Sequence, residues 1–152
     1  QLSEEFRGMG TTLVAALVRG LRVEIVNIGD SRAYLIDEEG MRQVTHDHSL
    51  VAEMVRRGEL SSREASRHPN KNVITRALGV ESNVSCDVFP LSLKKGQYVL
   101  LCSDGLTNEV SEPEIYYEVF QSQAPERACD TLIEIARSRG GHDNITVVLA
   151  SF

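Results

Sequence analysis

The sequence contains no run of about 20 uninterrupted apolar residues, the length a membrane-spanning helix requires, and this excludes such a span. Its opening, "QLSEEFRGMG", lacks both the basic head and the apolar body of a secretory signal. Runs of Lys or Arg are nearly absent and the formal net charge is −6, which disfavours a chain built to grip a phosphate backbone or an anionic membrane. No nucleic-acid or membrane partner is expected, and a cytoplasmic location is. Cysteine is scarce too. Cys86, Cys102 and Cys129 are odd in number, lie far apart and include no C-x-x-C pair, so neither zinc ligation nor dithiol redox chemistry is signalled. Each is read as a small buried residue in a reducing compartment. Internal repeats, low-complexity tracts and linkers are missing as well. What is present, 152 residues with 41% hydrophobic and 25% charged, suffices for one domain with a core and is too short for two full ones.

Along the chain, "GMGTTLVAALV" and "LRVEIVNIGDSRAYLIDEEGMRQVT" are β-branched runs broken at Gly29-Asp30 and Glu39-Gly40, a pattern that predicts a β-meander. Leu50, Val51, Met54 and Val55 share one helical face, with Ser49 as N-cap and Gly58 as the stop. "LSSREASRHPNKN" carries a capping box, Ser61 with Glu64, within a polar, mostly irregular stretch. Strand character returns in "VSCDVFPL" and "QYVLLCS", joined by a hairpin or similar connection, and in the closing "ITVVLASF", which is too apolar for a solvated edge. Two helices are expected late in the chain, one opened by Ser111 and Glu114, the other by Pro125 and closed by Gly140-Gly141. Six or seven strands with about three helices predict an α+β domain of antiparallel sheets with layered helices. So few helices leave two packed sheets incompletely covered.

Three aspartates share one context, each at the rim of an apolar strand beside glycine or Asn: Asp30 in "NIGDSRAYL", Asp104 in "LLCSDGLTN" and Asp143 in "GGHDNITVVL". In such turns an aspartate commonly caps its own backbone. If strand ends gather them, their repulsion must be relieved by a proton or a cation. All-oxygen ligation without a Cys or His cluster points to Mg²⁺ or Mn²⁺. His142, beside Asp143, reads as a solvated loop residue.

"GMGTT", "NIGDSRAYL", "HDHSLV", "NVITRALG", "SDGLTN" and "GGHDNITVVL", in this order, resemble the motifs of the metal-dependent serine/threonine phosphatases, the PPM or phosphatase 2C-type family, and are most similar to its bacterial members. The resemblance implies an antiparallel β-sandwich flanked by α-helices, and hydrolysis of phosphoserine and phosphothreonine on proteins. It implies that Asp104 and Asp143 ligate one metal of a dinuclear Mn²⁺ or Mg²⁺ pair, and that Asp30 helps Asp104 hold a third. Gly105 and Asn144 would support those turns. Residues 46–78 match the flap beside the active site, where Arg76 fixes the flap rather than touching phosphate. Attack by activated water needs no side-chain nucleophile, and no G-x-S-x-G or Cys/His site is found; Ser103 is then structural.

Two earlier family motifs, one with a phosphate-clamping arginine and one with the aspartate that bridges both metals, are not found. The chain 1–152 is therefore expected to be a single partial catalytic domain lacking its N-terminal part, and a sandwich so truncated is expected to self-associate through exposed sheet edges. Three readings stay open: a portion of an authentic phosphatase acting on phosphorylated proteins, inactive by itself; a non-catalytic phosphatase-like module that binds a protein partner or phosphopeptide; and an unrelated metal-binding structural domain.

Overall fold

The computed structural model describes residues 8–81, 83–122 and 124–152. Residues 1–7, most of the opening stretch judged to lack a secretory signal, lie outside them. Among the described residues, seven strands form two antiparallel sheets. One has the order β1 (Leu13–Arg19), β2 (Arg22–Ile28), β5 (Asp87–Ser92); the other has the order β4 (Gly40–Gln43), β3 (Arg32–Asp37), β6 (Tyr98–Cys102), β7 (Val147–Ser151). The expected meander therefore breaks at Gly29-Asp30. Hairpins join β1 to β2 and β3 to β4, but β2 and β3 belong to different sheets, so this glycine turn is a crossing between layers. The link from β5 to β6 also crosses.

The crossings follow from what each strand buries. Alternate residues of β2, Val23 and Ile25, meet Ala33 and Leu35 of β3 and Val99 of β6 in a core between the sheets. The other faces of β3 and β6 present Tyr34, Ile36, Leu100 and Cys102 to a second core. Strands buried on both faces read as unbroken apolar runs, which is how "QYVLLCS" looks. Two long helices close the second core: α4 (Glu112–Gln121) through Ile115 and Val119, and α5 (Pro125–Ser138) through Ala128, Leu132 and Ala136. The layers thus run sheet, sheet, helices. The outer face of β1, β2 and β5 carries Leu13, Leu17 and Val88 at 40–54% exposure, in line with the expected shortage of cover.

Locally encoded features appear where expected. Ser49 caps α1 (Leu50–Arg56), its Oγ accepting from the Ala52 N–H at 3.3 Å. Ser61 and Glu64 make a capping box on α2 (Ser62–Ala65), Ser111 and Glu114 make another on α4, and Pro125 opens α5. Among the described residues there are five helices against about three expected, because α2 and α3 (Asp104–Thr107) are single turns of four residues. Two further expectations fail. Cys86 is exposed, whereas Cys102 is buried and Cys129 half-buried. β7 ends its sheet among the described residues, and its Val148 is 51% exposed.

Candidate metal centre

Strand register brings the aspartates to one end of the second sheet. Arg32 of β3 pairs with Cys102 of β6, and Cys102 pairs with Val147 of β7. Asp30 enters β3 two residues before this row, Asp104 leaves β6 two residues after it, and Asp143 lies in the turn entering β7. In an antiparallel sheet with this register these three points fall at the same end of the strands.

Asp30 and Asp104 line one cavity of about 490 Å³. Burial first, and the negative charge of Asp104 second, push the Asp30 carboxyl above its ordinary range. Asp104 opens α3, and its Oδ2 accepts from the Asn108 side-chain amide at 3.2 Å, one helical turn on. Asp143 is exposed, does not line the cavity, and its Oδ1 accepts from the Asn144 N–H at 2.7 Å. Its turn nevertheless abuts that of Asp104. Ser103 Oγ donates to the Asn144 carbonyl at 2.9 Å and accepts from the Thr146 N–H at 3.0 Å, while the Ser103 N–H donates to the Thr146 carbonyl at 3.1 Å. A Cβ on Gly105 would collide with the Asn144 carbonyl oxygen, so only glycine permits this approach. Ser103 is thus a brace between two strand ends. Among the described residues, no three His, Cys, Asp or Glu side chains stand close enough to hold an ion by themselves.

The remaining motifs converge on the Asp30 turn. Gly29 has φ +103°, and a side chain there would strike Thr12, whose Oγ1 lies 2.9 Å from Ser31 Oγ. Thr11 exchanges backbone hydrogen bonds with Leu78, at 3.0 and 2.8 Å. The fully buried Asn27 donates to the carbonyls of Gly29 and His46. The Gly29 N–H donates to His48 Nδ1 at 3.0 Å, which leaves the imidazole proton on Nε2, facing Asp87 Oδ2 at 3.0 Å. Arg76 Nη1 donates to Asp87 Oδ1 at 2.8 Å and to the Ser85 carbonyl at 3.3 Å. It ties residues 46–78 to the approach of β5. The His48 hydrogen bond, opposed by slight burial and aided by Arg76, holds the Asp87 carboxyl below its ordinary range. Arg32 grips Asp47 through Nε at 3.0 Å and Nη2 at 2.7 Å, and Gln43 donates to the same carboxylate at 2.8 Å. Asn27, His48, Asp47 and Asn108 were missed as site residues by sequence reasoning, although "HDHSLV" and "SDGLTN" contain three of them. His142 is 79% exposed at its side chain and meets Glu109 at 3.0 Å.

Comparison with known proteins decides the lineage. The family model described as "Protein phosphatase 2C" matches residues 1–135. The chain belongs to the protein phosphatase 2C family. It is 48% identical over 145 residues to the serine/threonine phosphatase stp of Listeria innocua, a match that takes in 95% of this chain and 58% of that relative. The chain thus spans somewhat under two thirds of the length of its phosphatase 2C relative. The serine/threonine phosphatase PstP/Ppp of Mycobacterium tuberculosis superposes with a TM-score of 0.93 at 38% identity, over 99% of this chain and 63% of that one. A catalytic domain of PstP solved in complex with two manganese ions gives a TM-score of 0.87 at 37% identity, over 99% and 62%. For this phosphatase 2C chain the donors are right in kind for such an ion: carboxylate oxygens, two of them on one cavity and mutually repelling.

Proposed function

We propose that this chain carries part of the metal site and the substrate-facing flap of a phosphatase that hydrolyses phosphoserine and phosphothreonine esters on cytoplasmic proteins with Mn²⁺ or Mg²⁺. One observation carries the reading: Asp30 and Asp104 open into the same cavity, and burial plus mutual repulsion raise Asp30. Carboxylates so placed are relieved by a divalent cation. In this reading Asp104 and Asp143 hold one ion, and Asp30 joins Asp104 at a weaker one. When bound, such ions neutralise charge on phosphoryl oxygens and lower the pKa of a coordinated water towards neutrality.

The chain's own residues work around that centre. The Asn108 amide orients the Asp104 carboxylate, Ser103 braces the Asp104 turn against Asn144 and Thr146, and the small Gly105 lets them meet. Arg76 and His48 anchor the flap, 46–78, through Asp87. Arg32 is occupied by Asp47 and is not free to hold a phosphate. A second reading, a phosphopeptide-binding module without turnover, is favoured by the lack of any three-residue ligand group among the described residues.

Calorimetric Mn²⁺ titration of the chain and of Asp104→Asn, run beside Mn²⁺-dependent hydrolysis of p-nitrophenyl phosphate, tests the proposal. Mn²⁺ uptake that the substitution weakens at least tenfold is expected. Uptake indifferent to the substitution refutes the metal assignment, and phosphopeptide binding with no turnover after Mn²⁺ saturation selects the module.

A further inference from the structure

The cavity beside the aspartates is larger than one phosphorylated side chain fills. Its volume is about 490 Å³, and its lining takes in Asp30, Asp104 and both flap helices, where Val51, Ala52, Val55 and Ala65 supply apolar groups. Six charged side chains line it: Asp30, Asp47, Asp104, Arg32, Arg56 and Lys71. Arg32 and Asp47 cancel one another at 2.7 Å. Asp30 and Asp104 belong to the candidate metal site and repel one another. This leaves Arg56 and Lys71, neither of which is paired with a carboxylate among the described residues. The neighbouring Arg57, by contrast, reaches Glu53 at 3.7 Å and Glu59 at 4.0 Å. Three carboxylates balance three cations along the lining of a chain whose net charge is −6, so the cavity is less negative than the chain as a whole, and Arg56 and Lys71 are its two cations without a carboxylate partner among the described residues.

Lys71 also has a defined position. Its Nζ stands 3.5 Å from Asn108 Oδ1, and the amide nitrogen of the same Asn108 donates to Asp104 at 3.2 Å. Lys71 therefore lies one side chain from Asp104, and Arg56 lies in the last turn of α1. An anionic group in this cavity is repelled by Asp30 and Asp104 and attracted by these two.

We propose that this cavity selects phosphoproteins carrying an Asp or Glu next to the phosphorylated residue, with that second carboxylate held between Arg56 and Lys71. The inference rests on the phosphatase reading above. It places the phosphoryl group at the aspartates and the acidic neighbour at the two flap cations, so charge orients the peptide as well as binding it.

The test uses three fluorescein-labelled peptides in Mn²⁺ buffer and reads fluorescence anisotropy with the intact chain: a phosphothreonine peptide flanked by Asp, the same peptide flanked by Asn, and the unphosphorylated Asp peptide. Two ion pairs to exposed cations predict that the Asp-flanked phosphopeptide binds roughly tenfold tighter than the Asn-flanked one, with the margin shrinking as salt is raised. Arg56→Gln combined with Lys71→Gln should erase the preference. Equal affinity for the two phosphopeptides, or a preference that survives the double substitution, overturns the inference, and tighter binding of phosphorylated than unphosphorylated peptide still supports the phosphatase reading. An acidic preference indifferent to phosphorylation overturns that reading and the inference with it, as does no binding of any peptide.

Discussion

Replacing Gly105 with alanine adds one methyl group at the point where two turns of the candidate centre touch. Gly105 is buried within α3, so its backbone suits alanine, and helix propensity alone favours the change by ~1 kcal/mol. The obstacle is steric. The new Cβ would overlap the Asn144 carbonyl oxygen and stand 3.0 Å from its carbon and 3.4 Å from Ile145 Cγ1. The clashing atoms are backbone, so no rotamer relieves them; the Asn144 turn must retreat, straining the Ser103 bonds at 2.9 and 3.0 Å. Overpacking of this kind costs ~1–3 kcal/mol, leaving a net destabilisation of ~0–2 kcal/mol after the helix gain. Its effect on metal capture is larger in proportion, because Asp104 and Asp143 sit on the two turns being separated. We expect Mn²⁺ affinity to fall at least tenfold, ~1.4 kcal/mol. Urea denaturation and calorimetric Mn²⁺ titration on the same preparation separate the two effects. An alanine variant more stable than the parent with unchanged Mn²⁺ affinity would refute the argument, since the turn would then yield without consequence.

Leu132 is fully buried beneath the second sheet, so Leu132→Ala should cost ~2–5 kcal/mol in urea with an unchanged slope; a loss below ~1 kcal/mol would mean that α5 is not part of the core. The Arg139 hydrogen bond first, and the Ser111 cap second, hold Glu114 at a pKa of about 2. A carboxyl depressed on folding stabilises above its unfolded pKa of ~4.3 and loses that contribution as pH falls towards the folded value, so Glu114→Gln should flatten the acid limb of the stability curve between those points. An unaltered acid limb would refute the pairing. Exposed Cys86 should alkylate first with iodoacetamide, whereas Cys102, buried and with its thiol pushed up to about 12, should react only on unfolding; mass spectrometry of the labelled peptides reads the order, and early labelling at Cys102 would contradict the packing. His48→Ala removes the acceptor of the Gly29 N–H and the Asp87 contact, and leaving a buried donor unpaired costs ~1–3 kcal/mol; faster proteolysis within residues 46–78 is the expected result, and an unchanged cleavage pattern would count against His48 as the anchor.

Caps and stops were legible because they are local: Ser49, Ser61, Ser111 and Pro125 each satisfy groups within one turn. The break at Gly29-Asp30 was not, since a turn between two β-runs reads alike whether the chain folds back on its own sheet or crosses to another. That choice was made by Val23 and Ile25 packing on Ala33 and Leu35, partners found only in three dimensions. The turn at α3 was hidden for a different reason, as four residues are too few to display a helical period. At the site, the aspartates announced themselves by their glycine and Asn neighbours. Asp47 and His48 did not, because their roles depend on Arg32, Gly29 and Asp87 being brought alongside.

The row Arg32, Cys102, Val147 has a kinetic consequence. Its members come from three remote parts of the chain, and they align only when β3, β6 and β7 have found one another in register. Pairings so distant in sequence form late in folding. A dye-detected metal-uptake trace recorded during refolding would then lag behind the formation of α4 and α5, turning cation capture into a clock for the last strand to dock.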